Sequence, residues 1–541
     1  MNGDVMKKSN KKMHDDLEKA KKRKKEIQQK KMDKLKKIEE EKFIKRRKKF
    51  AIFALIWICI FAIGLVRKTF QNDTFYTIEI GEAIMNNGVD MLDHFSIHSN
   101  LPYTYPHWLY DVFIYVCYAI GGYSAIHISS VVLLLAVLIT VFKLNIKNTN
   151  NYSIAAFATL ICTLSVSGFA TARAQLVSFL IFALEVYFIE MFLKSGKKGY
   201  LFGLLLLSWL VCNVHVAVWP FYFVIFLPYL AEYIIALIAS KIKAKRETKF
   251  IKFLKNKFVL ENNKNVKWLF GTMILSTLTG LLTPIGDTPY TYMIHMSMSN
   301  AQEYVREHQM ISWANSPFTI IIAAETLLLT LISKVKLRDL FMICGLVFMS
   351  IISIRHISLL ALIGTICFAR VFSMFMDSFG FDVDKKVINF LSKKWLVITS
   401  YVVVVFGSLL LLTYQLKQPF VDDEMYPVEA VKYIKENIDI DEMRIFNEYN
   451  FGSYLLHHDI PVFVDSRADL YTAEFSGLSH DILDDYHYSP SNYNSIFEFY
   501  DITHILIYND KDNEIYKAMK DDDKYKILYE DDFFTLYERL V

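Results

Sequence analysis

Apolar runs of roughly 17 to 25 residues, each able to cross ~30 Å of hydrocarbon, recur from Ala51 to the neighbourhood of Leu412. A water-soluble fold has no core large enough to hide them all. The chain therefore threads a bilayer repeatedly, and its 541 residues do not divide into several soluble domains. A hydrophobic fraction of 53% and a positive mean hydropathy agree.

Eleven spans are expected, at roughly 50–66, 124–143, 152–169, 175–194, 200–216, 217–239, 267–284, 317–334, 338–354, 357–375 and 395–414. Residues 1–49 form a Lys/Arg-rich arm of helix-forming residues without a sustained heptad. It reads as a cytoplasmic anchor attracted to anionic lipids, with no nucleic-acid partner. With the arm inside, the even-numbered turns are mostly basic, among them KLNIKN, KSGKKG and SKIKAKRETKFIKFLKNKFVLENNKNVK. The outer connections are then 67–123, the turn at Arg173, the turn at His215, Pro284–Ser316, Arg355–His356 and all that follows Tyr414. Trp108–Ile120 is apolar but too short to span. Because it carries Asp111, it is assigned to an interfacial or re-entrant helix inside the first outer loop.

The first apolar run is too long and too late for a cleavable signal. All six cysteines lie in apolar segments, so no disulfide framework is expected. From 415 to 541 the composition turns soluble. A helical Pro427–Asn437, strand-like RIFNE, helical GSYLLHH, apolar strand PVFVDSR, then ITHILIY, EIYKAMK, YKILYED and FFTLYER predict an extracytoplasmic α/β domain. The fold class is thus a polytopic α-helical membrane domain, 50–414, with a C-terminal α/β domain, 415–541.

Chemistry concentrates on one side. The first outer loop carries Asp73, Glu79, Glu82, Asp90, Asp93, His94, His98 and His107. Arg173, His215, Arg355 and His356 interrupt apolar runs on that same side, where ionisable groups face a watery cavity or a partner. For each alone, snorkelling or a backbone-satisfied ring is the plain alternative. Such cations suit a lipid phosphate, and a nearby carboxylate suits an attacking hydroxyl. Asp465, Arg467 and Asp469 follow an apolar strand, where they either recognise a ligand or close an internal salt bridge. His457–His458 lacks metal-like spacing, so no metal site and no cofactor are assigned. No Walker loop or dinucleotide fingerprint is present, which removes support for a nucleotide-driven pump or a nucleotide-sugar donor.

The stretch NDTFYTIEIGEAIMNNGVD resembles the first loop of the GT-C glycosyltransferases, polytopic enzymes that take sugars from polyprenyl-phosphate carriers. Protein O-mannosyltransferases and aminoarabinose transferases of that superfamily carry an acid, then an aromatic, then a helix ending in Gly. Asp73, Tyr76 and Gly88 stand in those places. Asp93–Ser96, HWL at His107–Leu109, RAQ at Arg173–Gln175, NVH at Asn213–His215, LTPIG at Leu282–Gly286 and FGSYLLHHDIPVFVDSRADLY resemble mostly uncharacterised bacterial GT-C-like membrane proteins. Thr74 stands where the usual second acid would be, which leaves one carboxylate there.

The resemblance implies transfer of a sugar from a polyprenyl-phosphate donor to an acceptor at the outer face. Asp73 would be the general base or acceptor-orienting acid, with an N-cap as its structural alternative; Asp93 is the second catalytic candidate. Tyr76, His107, Arg173, His215, Arg355, His356, Asp465 and Arg467 would bind substrate. The alternative function is a non-catalytic protein of this kind that binds lipid-linked glycan or scaffolds envelope assembly.

Overall fold

The computed structural model describes residues 2–241, 257–300, 304, 310–313, 317–391, 393–510, 513–520 and 522–540. The middle of the long basic turn, 242–256, and parts of the Pro284–Ser316 connection lie outside the described residues.

Every expected apolar segment falls on a helix, and the molecule is a multi-pass helical membrane protein with a C-terminal α/β region. Among the described residues, six helices are long and apolar enough to cross a membrane: Trp108–Thr149, Tyr152–Phe169, Ala174–Ser195, Val216–Lys241, Ile354–Ser378 and Ile398–Lys417. The basic arm and the first apolar segment form one unbroken helix, α1, Asn2–Ile63.

Helix α2, Asn72–Asn87, follows α1 and ends on Gly88 at φ +83°. Helix α3, Trp108–Thr149, contains the boundary read from the sequence. Its backbone leaves helical geometry at Gly121 (φ −155°, ψ 24°) and Gly122 (φ 58°, ψ −152°). Only a residue without Cβ adopts the latter easily. The segment before the break exposes Phe113, Val116 and Ile120 on one face and buries Tyr110, Asp111 and Ile114 on the other. That amphipathic split suits a helix lying at the membrane surface. α2 and α3 cross closely at Gly81, where a Cβ would collide with the Asp111 carbonyl and the Tyr115 side chain.

In the C-terminal region, β1 (Ile445–Asn447) runs parallel to β2 (His504–Tyr508), which pairs antiparallel with β4 (Phe534–Arg539). β3 (Tyr525–Glu530) completes the order β1-β2-β4-β3. The expected strand PVFVDSR does not join this sheet. It is extended, but its backbone partner is the first loop, through a bridge between Ser96 and Val462 and bonds from Ile97 N–H and Val462 N–H. Asn447 of β1 grips it through side-chain bonds to Val464 O and Phe463 N–H, both at 2.8 Å, and Arg467 ties it to Asp93. Ile482–Phe499 is a helix that the sequence reading passed over.

One hydrophobic core runs through both parts, from Phe70, Phe75, Ile97 and Tyr105 of the loop to Phe446, Val464, Ile505 and Leu536. A second core fills the membrane helices. At the end of the bundle away from the sheet, Glu190 pairs with Arg370 at 2.7 Å and Arg338 at 3.3 Å. Arg338 also reaches Glu232 and Glu261, and Arg370 reaches Asp339 at 3.0 Å. Buried charges persist when compensated in this way.

Candidate active site

Where the first loop, the membrane helices and the C-terminal region meet, polar side chains converge. The start of α2 is docked on the turn before Arg173: Thr74 Oγ1 donates to Ala172 O at 3.2 Å, and Arg67 N–H donates to Ala170 O. The N-cap of α2 is Gln71, so Asp73 lies in the first turn, where its charge also suits the helix dipole. Its carboxylate meets the Arg173 guanidinium at 2.6 Å, and both side chains are about one-quarter exposed. Thr74 is buried, which explains a neutral residue beside Asp73.

Tyr76, one turn along α2, donates its hydroxyl to His107 Nε2 at 2.9 Å, and the two rings stack. His107 Nδ1–H donates to Asp111 Oδ1 at 2.7 Å, fixing the ring. The loop is stapled to the His215 turn by Val216 N–H to Pro106 O at 2.8 Å and by Trp108 Nε1–H to Asn213 Oδ1 at 3.0 Å.

His215 breaks the chain between Gly199–Val214 and the following helix, with φ −163° and ψ 77°. Its Nδ1–H donates to Ser178 Oγ at 2.9 Å, and its Nε2 accepts from Arg355 Nη2–H at 3.3 Å. His356 turns the other way: Nδ1–H donates to Met349 O at 3.0 Å and its ring meets Phe221 edge-on at 4.8 Å. Phe221 and Met349 line an apolar cavity of about 310 Å³, walled also by Leu227, Phe341, Leu346 and Leu359. His356 thus touches two residues of the cavity wall without lining the cavity itself.

Three candidates form their own buried clamp. Arg467 binds Asp465 through Nε (2.9 Å) and Nη2 (2.6 Å) and reaches Asp93 through Nη1 at 2.5 Å. Asp93 Oδ2 accepts from Ser96 N–H and Oγ–H. The guanidinium lies over the Phe95 and Tyr103 rings. Of the two readings open for Asp465 and Arg467, this geometry is that of the internal salt bridge.

The sequence reading missed the partners Ser178, Asp111 and Tyr292. Asp111 and Ser178 are polar residues on the inner faces of apolar helices, and only their proximity to a histidine gives them meaning. Tyr292 Oη–H donates to Asp469 Oδ2 at 3.0 Å, which joins the membrane half to the C-terminal region. Among the described residues, no group of three or more His, Cys, Asp or Glu is arranged to hold a metal ion.

No family model matches the chain, and no curated protein does. Among solved structures it is similar to ArnT from Cupriavidus metallidurans bound to undecaprenyl phosphate. The TM-score is 0.48 at 10% identity, covering 90% of this chain and 97% of that one. The apo form of ArnT is similar at TM-score 0.48 and 11% identity, covering 91% and 98%.

Proposed function

We propose that this protein is a membrane glycosyltransferase that moves a sugar from a polyprenyl-phosphate carrier to an acceptor at the extracytoplasmic face. The observation that carries the reading is the junction of an apolar cavity with a cationic end. His356 contacts Phe221 and Met349 in the wall of the cavity between Trp219–Lys241 and Leu337–Ile352, and its neighbour Arg355 reaches His215. An isoprenoid tail fits the apolar walls, and its phosphate then falls among Arg355, His215 and Arg173.

Transfer needs stabilisation of charge on the departing phosphate and a proton acceptor for the attacking hydroxyl. The guanidinium groups supply the first. The acids of the first loop and the C-terminal region supply the second. Lys/Arg-rich turns at the opposite end support placing the site and the C-terminal region outside the cytoplasm.

The test combines binding and lipid analysis. Full-length protein in nanodiscs should bind undecaprenyl phosphate, and R355A should weaken that binding by at least about tenfold. Cells lacking the protein should accumulate a polyprenyl-phosphate sugar, seen by mass spectrometry of their lipids. Unchanged lipid-linked sugars with binding retained would favour a non-catalytic glycan-lipid binder. Loss of neither binding nor sugar turnover in R355A would overturn the site.

A further inference from the structure

Tyr76, His107 and Asp111 form one hydrogen-bonded file. The Tyr76 hydroxyl donates to His107 Nε2 at 2.9 Å, and His107 Nδ1–H donates to Asp111 Oδ1 at 2.7 Å. A hydroxyl, an imidazole able to take its proton and a carboxylate that fixes the imidazole are the three parts of an activated hydroxyl. The fold brings them together at Gly81, where α2 passes so close to the first turn of α3 that a Cβ would strike the Asp111 carbonyl.

Structural pairs in this molecule are built differently. Asp465 receives donors on both oxygens, from Arg467 and Tyr471, and Asp93 does so from Arg467 and Ser96. His98 and His356 give a ring proton to backbone carbonyls. His107 instead lies between two ionisable side chains. Asp111 Oδ2 is sealed from solvent with no hydrogen-bond partner among the described residues. A buried oxygen in that state costs stability, so packing alone does not account for an acid at position 111. The file opens at one end only: the His107 side chain is 12% exposed and that of Asp111 0%.

Its place follows from contacts. Tyr76 lies one turn beyond Asp73 on α2, so the two side chains are neighbours on the helix surface, and Asp73 meets Arg173 at 2.6 Å. On either side of His107, Pro106 O accepts from Val216 N–H at 2.8 Å and Trp108 Nε1–H donates to Asn213 Oδ1 at 3.0 Å. Asn213 and Val216 flank His215, whose Nε2 accepts from Arg355 at 3.3 Å. The file is thus tied through α2 to Arg173 and through the His215 turn to Arg355.

We propose that this file is the proton acceptor of the sugar transfer: Tyr76 meets the acceptor hydroxyl, His107 stores the proton, and Asp111 is a positioning residue that fixes the ring. The inference rests on the sugar-transfer reading above. The acceptor oxygen bonds to the anomeric carbon as the bond from that carbon to the phosphate oxygen breaks, and the electron pair leaves on the polyprenyl phosphate. The acceptor's proton passes to Tyr76 Oη while the Tyr76 proton passes to His107 Nε2. The imidazolium rests against the Asp111 carboxylate until it releases its proton to water. Asp73 is left to hold Arg173 toward the phosphate.

The experiment uses full-length protein and reads undecaprenyl phosphate binding in nanodiscs, melting temperature, and clearance of the lipid-linked sugar in cells that otherwise lack the protein. Y76F removes one hydroxyl and leaves His107 on Asp111. It should bind within about twofold of wild type yet clear the sugar at least about a hundredfold more slowly. D111N offers an amide N–H to Nδ1 and so favours the tautomer whose Nε2–H cannot accept from Tyr76. Its loss should match that of Y76F, and the double variant should be no slower than either single one. Wild-type clearance by Y76F, or additive losses in the double variant, overturns the file as proton acceptor and leaves the sugar-transfer reading standing. Loss of lipid-phosphate binding in Y76F would place Tyr76 on the donor and equally overturns it. Wild-type protein that neither binds the lipid phosphate nor alters the sugar pool overturns the sugar-transfer reading itself.

Discussion

Arg467 and Asp93 lie 374 positions apart in the chain and meet at 2.5 Å, with side chains 1% and 0% exposed. One belongs to the C-terminal region and the other to the first loop, so this ion pair helps fasten the two, beside Glu79–His457 at 2.6 Å. Breaking a buried pair on one side leaves an uncompensated charge at a cost of about 3–5 kcal/mol. R467M should therefore unfold or detach the C-terminal region, seen as a new protease-sensitive site between the halves. R467K should also destabilise, because an ammonium cannot hold Asp465 and Asp93 in a planar fork.

The Asp73–Arg173 pair behaves oppositely, since each partner is partly open to solvent. Such pairs contribute at most about 1 kcal/mol. R173Q should melt within that margin of wild type and still lose at least about tenfold in undecaprenyl phosphate binding, because the proposed charge-assisted phosphate contact is removed. Thermal unfolding and a binding titration on the same preparation check both halves of this statement.

His98 makes the junction acid-sensitive. Its Nε2–H donates to Phe463 O at 2.8 Å, and burial pushes its pKa down to about 4. The unfolded ring takes a proton near pH 6.5, so the stability this residue contributes is complete above that value. It is lost as pH falls toward 4, by on the order of 3 kcal/mol in total. H98N or H98Q should flatten the acid side of the stability profile between pH 6.5 and 4, measured by melting at each pH.

Gly122 supplies the break in α3, and no atom lies within 4 Å of where its Cβ would stand. G122A therefore meets only a backbone penalty, on the order of 1–3 kcal/mol at this φ and ψ. The variant should stay folded in detergent with a lowered melting temperature. G81A should do worse, because its added methyl collides with the Asp111 backbone.

At the far end of the bundle, Arg370 compensates both Glu190 and Asp339. R370M should abolish folded protein on size exclusion, by roughly the same 3–5 kcal/mol. Adding D339N should recover part of it, since one of the two stranded charges is then removed.

The multi-pass helical character was readable because hydrocarbon thickness imposes a length that composition cannot hide. So was the boundary at Gly121–Gly122, where two glycines interrupt an apolar run. The grouping of Asp73, Arg173, His215 and Arg355 at one end followed from counting sides. Sequence was silent where the partner lies far along the chain, as for Arg467 with Asp93 or Asp469 with Tyr292. PVFVDSR alternates as a strand would, yet the alternation does not say which edge it pairs with. The helix Ile482–Phe499 was passed over because it carries Pro490 and leaves helical geometry at Asn492.

The shared core of Phe75, Ile97, Phe446 and Val464, bolted by a guanidinium between two carboxylates, makes a roof that does not lift. Swinging it aside would strand charges in an apolar interior. On the proposed function, a long isoprenoid would slide in sideways from the bilayer, and the sugar's acceptor would come around a fixed wall. The size and shape of that acceptor would then be limited by a wall already in place.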